Sequence, residues 1–206
     1  MTLFSKPVRS LLAVSAVLAS TASMAIAEDK SPQALVDAIK QGGLVVFIRH
    51  AETERDYADQ VTADPLQCNT QRVLGEFGWK QAKAIGQAVK DAAIPVDSVT
   101  SSQYCRAWQT ADLAFGTYEM NPDFNFEPAE EYSDEQFAAM RDRVRPHLAK
   151  TPPAGTNAVI VGHDDPFEAA TGIYPEPQGV TFVIRPDGNG DFEILGSIAP
   201  DAWPGM

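Results

Sequence analysis

Two histidines and two arginines follow segments that read as buried strands, and their side chains suit the binding and transfer of a phosphoryl group. Arg49 and His50 come directly after the apolar run VVFI, Arg106 follows VDSVTSS closely, and His163 follows NAVIVG. Arginine binds phosphate through two parallel hydrogen bonds and keeps its charge at physiological pH. Neutral imidazole is a good nucleophile near pH 7. One histidine could therefore accept the phosphoryl group while the other stabilises its developing charge.

A metal site is the competing interpretation of two such histidines. No third neutral ligand is evident beside them, and two arginines would repel a divalent cation. The sequence also lacks the C-x-x-C spacing of many zinc and redox sites. We therefore predict a site that needs no metal.

Apolar runs and helical periodicity alternate along the chain and predict one α/β domain. Strands are expected at LVVFI, VDSVTSS and NAVIVG, and helices at SPQALVDAIKQGG, EFGWKQAKAIGQAVKDAA, CRAWQTADLAF and SDEQFAAMRDRVRPHLAK. Strands that are apolar on both faces indicate a three-layer α/β/α sandwich with a mostly parallel sheet. The segment GVTFVIRPDGNGDFEILGSI is typical of a C-terminal antiparallel hairpin at one edge. Ligands of such sheets bind beyond the carboxyl ends of the strands, where the four residues are expected.

The helices carry signals for their ends and for their buried faces. Ser31 is the expected N-cap of the first helix, and Ser133 with Gln136 fits a capping box before the fourth. The periodicity of the second helix predicts that Phe77 faces the core. Trp79, on the same helix, is expected in the core or in the wall of a pocket.

The order of these segments resembles the histidine phosphatase superfamily, which includes phosphoglycerate mutases and histidine acid phosphatases. RHAET matches its R-H-x-x-T signature at Arg49, His50 and Thr53. LGEFGWKQAKAIG is similar to the helix after the first loop of that family, and TSSQYCRAWQTA to its second-arginine segment. VIVGHDDPFEAATGIYPEPQG is similar to its second-histidine segment. These similarities run in the expected order from Val45 to about Ile184.

The resemblance implies a mechanism and a set of site residues. His50 would attack phosphorus and become phosphohistidine, which water would then hydrolyse. Arg49, Thr53, Arg106 and His163 would bind the phosphoryl group. No metal or organic cofactor would be required.

The resemblance leaves the proton donor for the leaving group open. Histidine acid phosphatases place an aspartate directly after the second histidine, and Asp164 occupies that position. Mutase-like members use a glutamate downstream of the second arginine, and the candidates by position are Glu127, Glu130 and Glu131. Many members carry asparagine where this chain has Asp56, which we interpret as a solvated loop residue or as a proton carrier.

The first 27 residues have the pattern of a secretory signal peptide. Lys6 and Arg9 precede the apolar segment LLAVSAVLAS, and AIA at 25–27 fits a cleavage site. The apolar segment is too short to span a bilayer, although an uncleaved anchor is the alternative. We therefore expect residues 28–206 to form one exported, histidine phosphatase-like catalytic domain, periplasmic or secreted.

The only two cysteines, Cys68 and Cys105, both lie in the part expected to be exported. An even number of cysteines in an oxidising compartment predicts one disulfide, and two free buried thiols are the alternative.

The net charge of −12 disfavours nucleic acid and anionic membrane as partners and leaves a small phosphorylated substrate. No membrane insertion is expected after cleavage, and no oligomeric state is predicted. An exported phosphomonoesterase is the leading hypothesis. A phosphomutase-type transferase would need long insertions to enclose a sugar acid, for which the chain has little room. A non-catalytic module that binds phosphate or glycan is the third hypothesis, against which the complete set of four residues speaks.

Overall fold

The computed structural model describes residues 30–60, 62–127 and 131–205. The segment interpreted as a signal peptide and the candidate acid Glu130 lie outside these residues. In the part of the chain that is described, no helix is long and apolar enough to cross a membrane.

Six strands form a single sheet in the described residues. In chain order they are β1 (Val45–Arg49), β2 (Val96–Ser101), β3 (Glu119–Met120), β4 (Asn157–Gly162), β5 (Thr181–Pro186) and β6 (Phe192–Ile198). Their order across the sheet is β3-β2-β4-β1-β5-β6. Neighbours among β1 to β4 pair in parallel, whereas β5 and β6 add an antiparallel hairpin at one edge. The predicted mostly parallel sheet is confirmed, while the two-residue β3 is too short for any sequence periodicity to predict.

Five helices cover both faces of this sheet in the described residues. They are α1 (Pro32–Gln41), α2 (Glu76–Asp91), α3 (Cys105–Phe115), α4 (Asp134–Leu148) and α5 (Asp164–Thr171). The first three share one apolar core with the sheet, and α4 and α5 share the other. Side chains of β1 alternate between these cores, with Val46 and Ile48 in the first and Val45 and Phe47 in the second. This alternation gives the three-layer α/β/α architecture.

Side-chain caps begin two of the helices as the sequence predicts. The Ser31 hydroxyl accepts a hydrogen bond from the backbone N–H of Ala34 at 3.3 Å. Ser133 and Gln136 form both hydrogen bonds of a capping box at the start of α4. Each cap satisfies backbone N–H groups that the first helical turn leaves without partners.

The exposed face of α2 contradicts the predicted burial of its aromatic residues. Phe77 is 61% exposed and Trp79 is 52% exposed. Between them lies Gly78, where an added Cβ would stand only 1.8 Å from the carbonyl oxygen of Glu52. The helix therefore approaches the segment after β1 so closely that only small residues such as Gly78 and Ala82 fit on the inner face. The predictions for Phe77 and Trp79 were wrong because the pattern does not reveal this close approach.

The predicted disulfide between Cys68 and Cys105 is present, with a Cα–Cα distance of 5.6 Å. It connects the end of the long loop after β1 to the first residue of α3. A hydrogen bond beside the disulfide also connects the loop to α3, because the backbone N–H of Cys105 donates to Gln71 Oε1 at 2.8 Å. The Gln71 side chain in turn donates to the carbonyl oxygen of Asp64 at 2.6 Å. The loop is therefore attached covalently and by hydrogen bonds to the helix that carries Arg106.

Candidate active site

The carboxyl ends of β1, β2 and β4 bring together the four residues that the sequence singled out. Arg49 and Gly162 are register partners of β1 and β4, and the backbone N–H of His50 donates to the carbonyl oxygen of Gly162 at 2.9 Å. His163 follows Gly162, so its ring lies 5.4 Å from the His50 ring, measured between centroids. Arg106 reaches the same place from the first turn of α3. All four side chains are buried, with at most 4% of each residue exposed.

The hydrogen bond of the His50 ring determines which of its two nitrogens carries the proton. Nδ1 lies 2.9 Å from the carbonyl oxygen of Ala51. Because a carbonyl oxygen can only accept, this contact assigns the proton to Nδ1 and leaves the lone pair on Nε2. Burial, followed by the positive charge of Arg106, holds the pKa of His50 well below its usual value. The ring is therefore neutral and nucleophilic at Nε2.

The His163 ring is oriented by a short network of side chains. Its Nε2 lies 2.8 Å from the Ser102 hydroxyl, and that hydroxyl donates to Asn125 Oδ1, also at 2.8 Å. Since the one hydroxyl proton is used on Asn125, Nε2 of His163 is the donor to Ser102. Nδ1 of His163 is buried and has no partner among the described residues. One nitrogen of this ring is thus left for a ligand.

Arg49 is held by carboxylates and a carbonyl group on the opposite side of the site. Its NH2 group donates to Asp164 at 2.5 Å, and its NH1 group donates to Glu176 at 2.5 Å and to the Pro175 carbonyl at 2.8 Å. Asp164 also accepts a hydrogen bond of 2.8 Å from the Tyr174 hydroxyl. Burial opposes ionisation of Asp164, but the charge of Arg49, the neighbouring His50 and the hydrogen bond from Tyr174 together outweigh burial and lower the pKa of this carboxyl. Asp164 is therefore ionised while it pairs with Arg49.

Arg106 is paired in the same way, with a residue of the long loop. Its NH1 group donates to Asp59 Oδ1 at 2.9 Å. Its guanidinium lies 4.9 Å from the centroid of the Phe126 ring and 5.5 Å from that of Tyr104. The Phe126 ring also meets the His163 ring edge-on. This aromatic pair forms one wall of the site and shields the charges from water.

The remaining signature residue, Thr53, is buried beside the site. Its backbone N–H donates to Gln178 Oε1 at 2.9 Å, and it forms an isolated bridge with Leu74. These contacts fix the chain after His50. Asp56, three residues later, is exposed, in agreement with its interpretation as a solvated loop residue.

The candidate proton donors lie in different surroundings. Asp164 is the one that contacts Arg49 directly. Glu127 instead forms an ion pair of 2.6 Å with Arg143, and Glu131 is exposed. Asp165, which the sequence analysis did not single out, accepts a hydrogen bond of 2.8 Å from the Tyr132 hydroxyl. Burial and then the charge of Asp164 raise the pKa of Asp165.

Sequence reasoning missed Asp59, Glu176, Ser102 and Asn125 as parts of the site. The contacts of Asp59 with Arg106 and of Glu176 with Arg49 join residues 47 and 127 positions apart. Polar residues in irregular segments carry no periodicity from which such contacts could be found. In the described residues no group of three or more histidine, cysteine or acidic side chains is arranged to hold a metal ion.

The family described as the histidine phosphatase superfamily (branch 1) matches residues 45–125. This range contains the signature after β1 and the second arginine. No curated protein matches the chain.

Solved structures of phosphatases share the fold at low sequence identity. The protein histidine phosphatase SixA complexed with tungstate is 14% identical, with 77% of this chain and 97% of that chain covered and a TM-score of 0.53. The phosphoserine phosphatase of Entamoeba histolytica in complex with phosphoserine is 13% identical, with coverages of 77% and 98% and a TM-score of 0.56. A mycobacterial glucosyl-3-phosphoglycerate phosphatase with VO3 is 14% identical, with coverages of 74% and 97% and a TM-score of 0.53.

The family match and the shared fold agree with the geometry of the site. Strands β1 and β4 and helix α3 bring the residues of the signature and the two later segments into one buried cluster. The chain thus resembles the histidine phosphatase superfamily over residues 45–125 and shares the fold of the solved phosphatases.

Proposed function

We propose that the protein is a phosphatase that hydrolyses small phosphomonoesters through a phosphohistidine on His50. The observation that carries this proposal is the bare Nε2 of a buried, neutral His50 within a cluster that contains two arginines and a second histidine. Proteins of this fold have been solved with tungstate and with VO3, which are oxyanions like phosphate. This agrees with an oxyanion site in a protein of this fold.

The reaction proceeds in two displacements at phosphorus. In the first, Nε2 of His50 forms a bond to phosphorus while the bond to the ester oxygen breaks, and an acid protonates the departing alkoxide. In the second, the conjugate base of that acid takes a proton from water while the water oxygen bonds to phosphorus and the bond from phosphorus to Nε2 breaks. Inorganic phosphate is released, and neutral His50 and the protonated acid are restored. Arg49 and Arg106 stabilise the charge on the transferring oxygens throughout.

Substrate binding must displace the carboxylates that occupy the two arginines. A phosphate on Arg49 replaces Asp164 and Glu176, and a phosphate on Arg106 replaces Asp59. Once Asp164 has lost Arg49 and faces a dianion, its pKa rises, because the largest of the causes that lowered it is gone and a negative charge has been added. Asp164 then takes up a proton and can protonate the leaving oxygen. We therefore propose Asp164 as the acid in preference to Glu127, which forms an ion pair with Arg143 instead of contacting Arg49.

His163 stabilises the same oxygens from the other side. Before a substrate binds, burial and then the charge of Arg106 hold the pKa of His163 well below its usual value. A bound dianion opposes the effect of the arginines and favours the imidazolium form. The Nδ1 group, which has no partner among the described residues, then carries a proton and donates it in a hydrogen bond to a phosphate oxygen.

Export of residues 28–206 after removal of residues 1–27 is part of this proposal. It is supported by the signal-peptide pattern of the sequence and by the disulfide between Cys68 and Cys105. Disulfides persist mainly in oxidising compartments such as the periplasm or the extracellular space.

The proposal is tested by assaying residues 28–206 with p-nitrophenyl phosphate and with alkyl phosphates, in the presence and absence of EDTA. We expect release of inorganic phosphate that the chelator does not change. Transfer of the phosphoryl group to an added alcohol or sugar phosphate in preference to water would indicate a mutase-type transferase. Binding of phosphate without any turnover would indicate a non-catalytic module.

A further inference from the structure

Arg72 is an arginine beside the site whose side chain has no counterion in the described structure. Eight arginines lie within the described residues. Seven of them form ion pairs with carboxylates, namely Arg49, Arg55, Arg106, Arg141, Arg143, Arg145 and Arg185. Arg72 forms no ion pair with any described residue, although the chain carries 28 acidic residues against 16 basic ones. In such an acidic chain, an unpaired guanidinium calls for a physical reason.

The surroundings of Arg72 make the lack of a described counterion costly in free energy. The residue is partly buried, and its Nε is fully buried without a hydrogen-bond partner among the described residues. A buried donor that is left without a partner costs about 1–3 kcal/mol, and more when it is charged. A nearby carboxylate is available, because Asp59 accepts a hydrogen bond of 2.7 Å from the backbone N–H of Arg72. The side chain of Asp59 nevertheless pairs with Arg106.

The backbone of Arg72 is fixed next to the second arginine of the site. Its carbonyl oxygen accepts a hydrogen bond of 3.4 Å from Arg106 NH1. Arg72 also follows Gln71, which contacts the first residue of α3. The segment is thus positioned by the same elements that position Arg106.

The charge of Arg72 acts on groups of the site. Burial is the main cause of the low pKa of His163, and nearby positive charges lower it further, Arg72 among them. Arg72 also lowers the pKa of Arg106, for which burial is again the main cause. A positive charge that disfavours protonation of His163 in the empty site would equally attract an anion there.

We propose that Arg72 is a third phosphate-binding residue and that the phosphoryl group of the substrate is its counterion. This inference rests on the proposed function. It also gives Arg72 a role distinct from those of Arg49 and Arg106, which must each release a carboxylate before they bind phosphate. Arg72 has no described carboxylate to release, so its attraction for the anion is not offset by a broken ion pair.

The test compares Arg72→Met, Arg72→Lys and Arg55→Ala in residues 28–206. Methionine retains an apolar stem without the charge, and lysine retains the charge without the planar guanidinium. Arg55 is the matched control, because it lies after the same strand but has an 82% exposed side chain paired with Glu52. Binding of inorganic phosphate is measured by calorimetry, and its inhibition constant is measured against p-nitrophenyl phosphate.

We expect Arg72→Met to weaken phosphate binding about 10- to 100-fold, as for loss of a hydrogen bond to a charged group. Arg72→Lys should recover part of this loss, and Arg55→Ala should bind like the wild type. The melting temperature of Arg72→Met without phosphate should equal or exceed that of the wild type, because a charge without a counterion has been removed. Stabilisation of the variant by added phosphate should be smaller than that of the wild type.

Wild-type affinity in a folded Arg72→Met variant would overturn the inference. A variant that fails to fold would overturn it too, because it would show that Arg72 stabilises the empty protein. A wild-type protein that binds phosphate without hydrolysing esters would refute the proposed function, while calorimetry would still decide the role of Arg72. Hydrolysis by the wild type together with unchanged phosphate binding in Arg72→Met would refute the inference alone.

Discussion

The site consists of two regions that differ in how the fold holds them. The centre comprises Arg49, His50, Arg106 and His163, which are buried at strand ends or in the first turn of α3. The rim, which we define as the described residues of 52–71 together with 172–180, brings carboxylates onto the two arginines. Its Glu176 side chain is 65% exposed, whereas those of the arginines are 5% exposed. The sheet therefore fixes the groups of the proposed reaction, and the loops supply the carboxylates that would compete with a substrate for the arginines.

Replacement of His50, the proposed nucleophile in the centre, should have the largest effect. We expect His50→Ala to lower the turnover of p-nitrophenyl phosphate by on the order of 10⁴-fold or more, because the covalent route is lost. The protein should remain folded, since the mutation removes a ring and keeps the backbone hydrogen bonds of His50. His147→Ala is the matched control, because this histidine lies on α4 and contacts Asp123 away from the site. Near-native turnover of His50→Ala would contradict the covalent mechanism.

The centre could be predicted from sequence because its residues directly follow recognisable elements. VVFI and NAVIVG are apolar enough to identify buried strands, and parallel strands place their ends together. The rim could not be predicted, because Asp59 and Glu176 lie in irregular segments far in sequence from the arginines they contact. The role proposed for Arg72 could not be predicted for a similar reason, since it depends on the lack of an ion pair with any described residue, which only the three-dimensional structure reveals.

The fold, like the site, could be predicted where local sequence determines it and could not be predicted where tertiary contacts do. The helix boundaries of α1 and α4 follow from local capping by Ser31 and Ser133. The orientation of α2 does not follow from local sequence. The close approach of Gly78 to Glu52 is a tertiary contact that overrides the apolar pattern. The eight-residue α5 was missed because it is shorter than the length at which helical periodicity becomes distinct.

Asp164 belongs to neither the centre nor the rim as defined above. Its replacement should have an effect of intermediate size that depends on the leaving group. We expect Asp164→Asn to slow hydrolysis of alkyl phosphates by about 10²- to 10⁴-fold, because the poor leaving oxygen needs a proton. The effect on p-nitrophenyl phosphate should be much smaller, since nitrophenolate departs without protonation. The control is Glu127→Gln, which should leave both rates nearly unchanged. An equal loss for both substrates would show that Asp164 acts by positioning Arg49.

The disulfide joins rim to centre, so its loss should affect stability and binding more than chemistry. The cysteines are 37 positions apart, and opening a loop of this length costs about 4 kcal/mol in the free energy of unfolding. The change in the free energy of unfolding is measured by urea denaturation with and without dithiothreitol. A Cys68→Ser/Cys105→Ser variant should be as unstable as the reduced protein and insensitive to the reductant. A larger change in kcat than in KM would contradict the assignment of the disulfide to the rim.

A charge change confined to the rim should have the smallest effect. Glu176→Gln removes one exposed competitor for Arg49, so we expect phosphate to bind about two- to fivefold more tightly, as for loss of an exposed ion pair. Glu193→Gln is the control, because this residue forms an exposed ion pair with Arg185 on the edge hairpin. Weaker phosphate binding by Glu176→Gln would show that the carboxylate orients Arg49 for the substrate.

The most direct test of the central claim is to trap the phosphoryl group on the enzyme. The protein is mixed with substrate, quenched in alkali within one turnover, and digested for mass spectrometry, because phosphohistidine survives base and is lost in acid. We expect one acid-labile phosphoryl group on His50, and none on the His50→Ala variant. A phosphoryl group on His163 or Asp164, or full turnover with no phosphorylated enzyme at any time, would contradict it.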